Sequence, residues 1–175
     1  MPKIIENVRE RALEQAREIL TGEGYGAMTM RRVAEKLDIA PATIYHYFPS
    51  KEHLAAGVML EDWQRMTGDF EAGQAGRSPG ETVRALFELV HDFSAVYMRS
   101  WSQYGGGDDS PPIRRRYHPV LVEQLSGYIR RALPPEREKT EPWLAAFLAE
   151  LILRMGSDGG CTWQSVAPAV EKLLG

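Results

Sequence analysis

The sequence predicts an all-α protein. Apolar residues recur at steps of three and four along most of the chain. The alternation of β-branched residues that marks strands is nearly absent. Glycine and proline clusters fall between the periodic stretches, where helices stop and start. The pattern divides into an N-terminal three-helix module over residues 1–50, joined by a long helix to a larger helical domain over 51–175.

The first stripe runs from Ile4 to Leu20: Ile5, Val8, Ala12, Ala16 and Ile19, with Leu13 and Leu20 beside it. These residues share one face of a helix. Gly22 and Gly24 end it, because glycine accepts the left-handed backbone after a helix. Thr29 can cap a second helix through its hydroxyl. Met30, Val33, Ala34 and Leu37 give that helix its apolar face. Asp38-Ile39-Ala40 is a turn. Pro41 suits the first turn of a third helix, where no N–H is needed, and this helix runs to about Tyr47. Phe48-Pro49-Ser50 interrupts, and Ser50 can cap a fourth helix from Lys51 to about Phe70. Residues 71–77 are a glycine-rich connector. Ser78-Pro79-Gly80-Glu81 is a capping box with proline at the first helical position. The helix after it carries Val83, Phe87, Val90, Ser94, Tyr97, Trp101 and Tyr104 at steps of four and three. Residues 105–112 read as a loop. Another helix covers roughly Tyr117 to Ala132 and stops before Pro134-Pro135. Thr140-Glu141-Pro142 opens one to about Met155. Gly156 to Gly160 is a loop, and Thr162 to Leu174 is helical, with Pro168 starting, kinking or breaking it.

Apolar residues make up 43% and charged residues 26% of the 175, a globular balance that excludes wholesale disorder. No apolar run approaches the ~20 residues that span a bilayer. The N-terminus has no apolar signal core. One cysteine, Cys161, excludes an intramolecular disulfide and a cysteine-cluster metal site. These features place the protein in the cytoplasm, off membranes, with no metal and no cofactor. Net charge is −3, against a large basic surface. Residues 1–55 balance eight Lys/Arg with eight Asp/Glu, but Thr29 to Lys51 is locally basic through Arg31, Arg32, Lys36 and Lys51. A small basic patch on an acidic body suits a focused contact with DNA. A solvated charged face gives the same count.

Two short helices joined by a tight turn form a helix-turn-helix unit, which demands particular residue sizes. The helices cross steeply, so one position on the first must be small, and Ala34 stands there. The turn favours a left-handed backbone, and Asp38 tolerates it better than most residues. Val33, Leu37, Ile39 and Ile44 supply buried aliphatics. The second helix then presents Pro41, Ala42, Thr43, Tyr45, His46 and Tyr47 outward, as a helix that enters the major groove does. The same geometry occurs in enzymes as plain packing. A structural helix of about two turns rarely exposes two tyrosines and a histidine, however. Threonine and tyrosine hydroxyls are good partners for phosphates and bases.

The stretch from Ala27 to Leu54 resembles the signature of the TetR family of transcriptional regulators. The most specific part is Thr43-Ile44-Tyr45-His46-Tyr47-Phe48, followed by Ser50-Lys51-Glu52 and Leu54. The preceding helix, Ala12 through Gly24-Tyr25, is similar too. Asp38 departs from the usual turn glycine, and Ala40 stands where a small hydroxyl residue is common. The resemblance implies that Thr29 and Arg31 meet phosphate and a base. Pro41, Ala42, Thr43 and His46 would face the major groove. Tyr45 and Tyr47 would contact backbone and sugar, and Lys51 a phosphate. Ala34, Ile39, Ile44 and Phe48 would be core, and Arg32 and Lys36 solvated surface.

The resemblance also implies that residues 51–175 bind a small apolar or aromatic effector and dimerise, so that a homodimer meets a palindromic operator on double-stranded DNA and ligand releases it. Large soft side chains are the candidate lining: Met59, Trp63 and Met66 on the long helix, and Phe87, His91, Tyr97, Trp101 and Tyr104 on the next. Tyr117 and Phe147 would close the cavity. Plain core packing produces the same stripes. Trp143, Phe147, Leu151 and Met155, with Trp163, Val166, Val170 and Leu173, are the candidate dimer interface. No catalytic motif stands out, and the four histidines show no metal-ligand spacing. An enzyme, and a DNA-binding protein acting through a protein partner or in general DNA organisation, are the rival expectations.

Overall fold

The computed structural model describes residues 7–102 and 112–175, with side chains at 7–97 and 117–175. Every regular element among them is an α-helix: α1 (Val8–Glu23), α2 (Met30–Leu37), α3 (Pro41–Tyr47), α4 (Lys51–Ala72), α5 (Pro79–Ser102), α6 (Pro112–Ala132), α7 (Pro135–Thr140), α8 (Leu144–Gly156) and α9 (Trp163–Leu174). No described helix is long and apolar enough to cross a membrane. The chain forms two compact units. The first takes in the chain up to Gln64 together with Arg99–Ser102 at the end of α5, and the second Arg65–Met98 and the helices after residue 107. The boundary lies inside α4, whereas the sequence reading divides the chain at 50/51.

In the first unit α1, α2 and α3 pack on one another. The predicted stripe is what α1 buries: Val8, Ala12, Leu13, Ala16, Ile19 and Leu20. Ile4 and Ile5 lie outside the described residues. Gly24 ends α1 at φ 88°, and its N–H donates to the Ile19 carbonyl. Helix α4 joins this core through Leu54, Ala55 and Val58, all fully buried. Gly57 marks the close approach. A Cβ there would stand 2.8 Å from Leu13 and 3.3 Å from Phe48.

In the second unit the Ser78 capping box forms as expected. Glu81 Oε2 accepts from the Ser78 N–H, and Ser78 Oγ accepts from the Glu81 N–H. Helices α6 and α8 pack together. Leu125 and Ile129 of α6 are buried, as are Leu144, Leu148 and Ile152 of α8. Phe87 of α5 meets the Trp163 ring at 5.7 Å.

Helix α6 ends at Ala132, before Pro134-Pro135, as the sequence predicts. Pro135 then starts a short helix that the sequence does not announce, because a first-turn proline forfeits no bond. Thr140 therefore ends a helix, and α8 begins at Leu144. Helix α6 begins at Pro112 and runs through Pro119. Pro168 lies inside α9, where the ring removes one helical bond without ending the helix.

Candidate nucleic-acid interface

The Thr29 hydroxyl accepts from the Arg32 N–H and caps α2. Ala34 is fully buried at the crossing with α3. Asp38 adopts φ 56°, ψ 47°, the left-handed turn, and its N–H donates to the α2 carbonyls of Ala34 and Glu35. Ala40 makes no side-chain cap on α3. Ile44 is the residue α3 buries. Phe48 is buried just beyond it. Ile39, expected in the core, is only partly buried.

With Ile44 turned inward, α3 presents its other faces. Pro41, Ala42 and His46 are exposed, Tyr45 is 52% exposed and Tyr47 44%, and Thr43 is partly buried. The His46 and Tyr47 rings meet edge to face at 5.4 Å. Thr29 and Arg31 are exposed at the start of α2. The nine residues singled out for DNA contact thus belong to one unit, and most of them face solvent.

The cations divide by partner. Arg31 pairs with Glu35 one turn on, and its side chain is 82% exposed. Such a pair contributes little and leaves the guanidinium open to a phosphate. Arg32 grips Glu23 of α1 through both terminal nitrogens, at 2.6 and 2.9 Å, and donates to the Ala27 carbonyl. Lys36 reaches Glu18 of α1 at 3.3 Å. These two tie α2 to α1, a more structural role than the solvated surface expected of them. Lys51, the first residue of α4, lies with its ammonium 3.9 Å from the centroid of the Tyr25 ring. Burial draws the Lys51 pKa below its ordinary value, against the opposing charge of Glu52. The Tyr25 hydroxyl donates to Glu52 Oε1 at 3.2 Å. Burial and the Glu52 charge push its pKa up to about 12. Sequence reasoning quoted Tyr25 only as part of the resemblance and assigned it no role.

The candidate ligand residues do not form one set. Met59 and Trp63 are buried in the first unit, and Met66 is partly buried in the second. Phe87 and Tyr97 are core residues at 2% exposure. His91 stacks on Phe87 at 6.2 Å, with Nδ1 3.6 Å from Asp92. The Trp101 side chain and all of Tyr104 lie outside the described residues. Tyr117 and Phe147 correct the expectation that they close a cavity: they are 39% and 49% exposed, on the outside of α6 and α8. A cavity of about 490 Å³ does lie in the second unit, but Arg84, Leu133, Arg137, Trp163 and Val170 are among its walls and none of the ligand candidates is. The expected dimer interface is also corrected in part. Val166 and Val170 are buried within the chain, whereas Trp143 is 53% exposed. Among the described residues no group of His, Cys, Asp or Glu is placed to hold a metal ion.

Residues 12–58 match the model of the bacterial regulatory proteins, tetR family. The chain is 39% identical over 92 residues to the HTH-type transcriptional repressor KstR of Mycolicibacterium smegmatis, covering 53% of this chain and 44% of that protein. It is 37% identical over 95 residues to the HTH-type transcriptional regulator UidR of Escherichia coli, covering 54% and 45%. The matched stretch thus spans less than half the length of these relatives. In fold the chain is similar to a solved transcriptional regulator of the TetR/AcrR family from Thermobifida fusca, with a TM-score of 0.61, 20% identity and 95% of each chain covered. A capped α2, a left-handed turn at Asp38 and an exposed α3, all inside the matched stretch, agree with that likeness: residues 12–58 form a domain of the tetR family of bacterial regulatory proteins.

Proposed function

We propose that this chain is a cytoplasmic transcriptional repressor that binds a palindromic operator as a homodimer. Its helix-turn-helix, α2 to α3, reads the DNA, and a small apolar or aromatic effector bound by the second unit releases it. The observation that carries the DNA reading is the surface of α3. A helix kept for packing buries a stripe, whereas α3 buries Ile44 and exposes Pro41, Ala42, Tyr45, His46 and Tyr47. In this reading Thr43 and His46 meet base edges. Tyr45, Tyr47, Thr29, Arg31 and Lys51 meet the backbone. The relatives named KstR are repressors, which favours repression here.

One recognition helix reads too few bases to select a site, so two copies are needed. The face that suits a second copy joins Trp143, just before α8, and Phe147 on it to Tyr117 and Val120 on α6, all exposed, the two helices packing together. A patch of this kind on a soluble chain marks an interaction surface. Phe87, His91 and Tyr97, neighbours along α5, are the proposed effector contacts, aromatic rings with polar handles that the effector reaches by opening the core around Phe87 and Tyr97.

Selection from a random-sequence duplex library, followed by footprinting, tests the reading. The expected result is a palindrome whose half-sites lie about 10 base pairs apart or a multiple of that. Enrichment of no motif, with the chain folded and the salt low, overturns it.

A further inference from the structure

We propose that Tyr25 is the positioning residue for Lys51: its ring face holds the lysine ammonium in the pose from which it meets a DNA phosphate. The inference rests on the DNA-binding reading and adds to it a residue that touches no DNA itself.

Lys51 is the first residue of α4, a 22-residue helix. A cation at that end opposes the helix dipole, whereas Glu52 beside it is favoured. The Tyr25 ring offsets that unfavourable placement. Its centroid is 3.9 Å from Nζ, well inside the ~6 Å reach of a cation–π contact. The ring is itself pinned. Gly24, at φ 88°, turns the chain out of α1 and delivers Tyr25 to the start of α4. The hydroxyl at the far end of the ring bonds Glu52. A free lysine loses rotamer freedom when it takes a phosphate, whereas one already seated on a ring has lost much of it beforehand. The ring covers one side of the ammonium and leaves its other N–H donors for phosphate oxygens.

The opposite consequence is equally physical. If the ring and the phosphate compete for the ammonium, removing the ring strengthens binding. The sign of the effect therefore decides. The probes are a mixed-sequence duplex of about three helical turns, at low salt, and the selected duplex. Lys51→Ala should lower the salt slope by about 0.9 for each protomer on the duplex, hence about 1.8 for the homodimer. Tyr25→Leu should weaken binding about three- to tenfold, and Tyr25→Phe, which keeps the ring, by less than about twofold. In the Lys51→Ala background neither tyrosine change should matter. Tighter binding by Tyr25→Leu, or an equal loss with and without Lys51, overturns the proposal. If Tyr25→Leu does not fold, the wild type carries the test by NMR. The ring should shift the Lys51 Cε protons upfield, and the shift should persist when the duplex is added. Return to an ordinary shift on binding means that the ring releases the lysine, and overturns the proposal. A wild type that binds no duplex overturns the DNA reading and this inference together. Binding that is indifferent to Tyr25→Leu overturns this inference alone.

Discussion

Arg17→Ala should loosen the first unit where α1 meets α4. The Arg17 Nε donates to Asp62 Oδ1 at 2.8 Å and its Nη2 to Glu61 Oε2 at 2.9 Å. Exposed pairs contribute about 0–1 kcal/mol, and removing one partner of a buried pair costs about 3–5 kcal/mol. This pair lies between those limits: the Asp62 side chain is 8% exposed and that of Arg17 27%. Desolvation draws the guanidinium pKa down, but its bonds and charges with Glu61 and Asp62 outweigh that and raise it. Asp62 also keeps a further interaction when the arginine is gone. The expected cost is therefore about 2 kcal/mol, in the middle of the two ranges. Because the chain has two units, global unfolding can miss the loss. Amide hydrogen exchange in α1 and in the first turns of α4 reads it locally. Arg17→Ala should cost less in an Asp62→Asn background, where no buried carboxylate is stranded. A loss below about 0.5 kcal/mol, the scatter of ordinary surface changes, or strict additivity in that cycle, refutes the argument that the pair fastens the two helices.

Other outcomes follow from single positions. Asp38→Gly should stabilise the chain by about 0.5–1 kcal/mol, because glycine adopts the left-handed turn without a Cβ penalty; thermal unfolding measures it. Ser78→Ala should destabilise α5 by removing one half of its capping box. The Ser78 N–H and hydroxyl hold the Glu81 carboxyl below the usual carboxylate range. The capping contribution is thus fully present above that range and fades as pH falls through the lower folded value. The gap between wild type and Ser78→Ala should accordingly narrow in acid, as chemical denaturation at several pH values will show. Phe147→Glu should shift the chain toward monomer in sedimentation, by about 2 kcal/mol or more if Phe147 is a central contact. An unchanged dimer would move the interface elsewhere. His46→Ala should broaden the selected motif at one or two positions with little change in salt slope, the mark of a base contact as opposed to a phosphate contact.

The N-terminal module was legible in the sequence because local rules dictate it. Thr29 caps, Asp38 turns left-handed, Pro41 starts α3, and Ala34 and Ile44 are buried at the places that spacing assigns them. Each of these depends on neighbours a few residues away, so a linear reading suffices. Proline is less legible. Pro112 and Pro135 each start a helix and Pro168 sits inside one, because the same ring can start a helix, sit inside one or end one, and only the packing around it selects among these. Tertiary structure alone decided the fate of the large aromatics. An apolar stripe looks the same in sequence whether it faces a core, a cavity or solvent. The fold buried Phe87 and Tyr97 and left Trp143, Phe147 and Tyr117 outside. It also brought Tyr25 to Lys51 and Arg17 to Asp62. Those pairs span tens of residues along the chain, and no periodicity encodes them. They exist because α1 and α4 pack closely enough at Gly57 for side chains distant in sequence to touch.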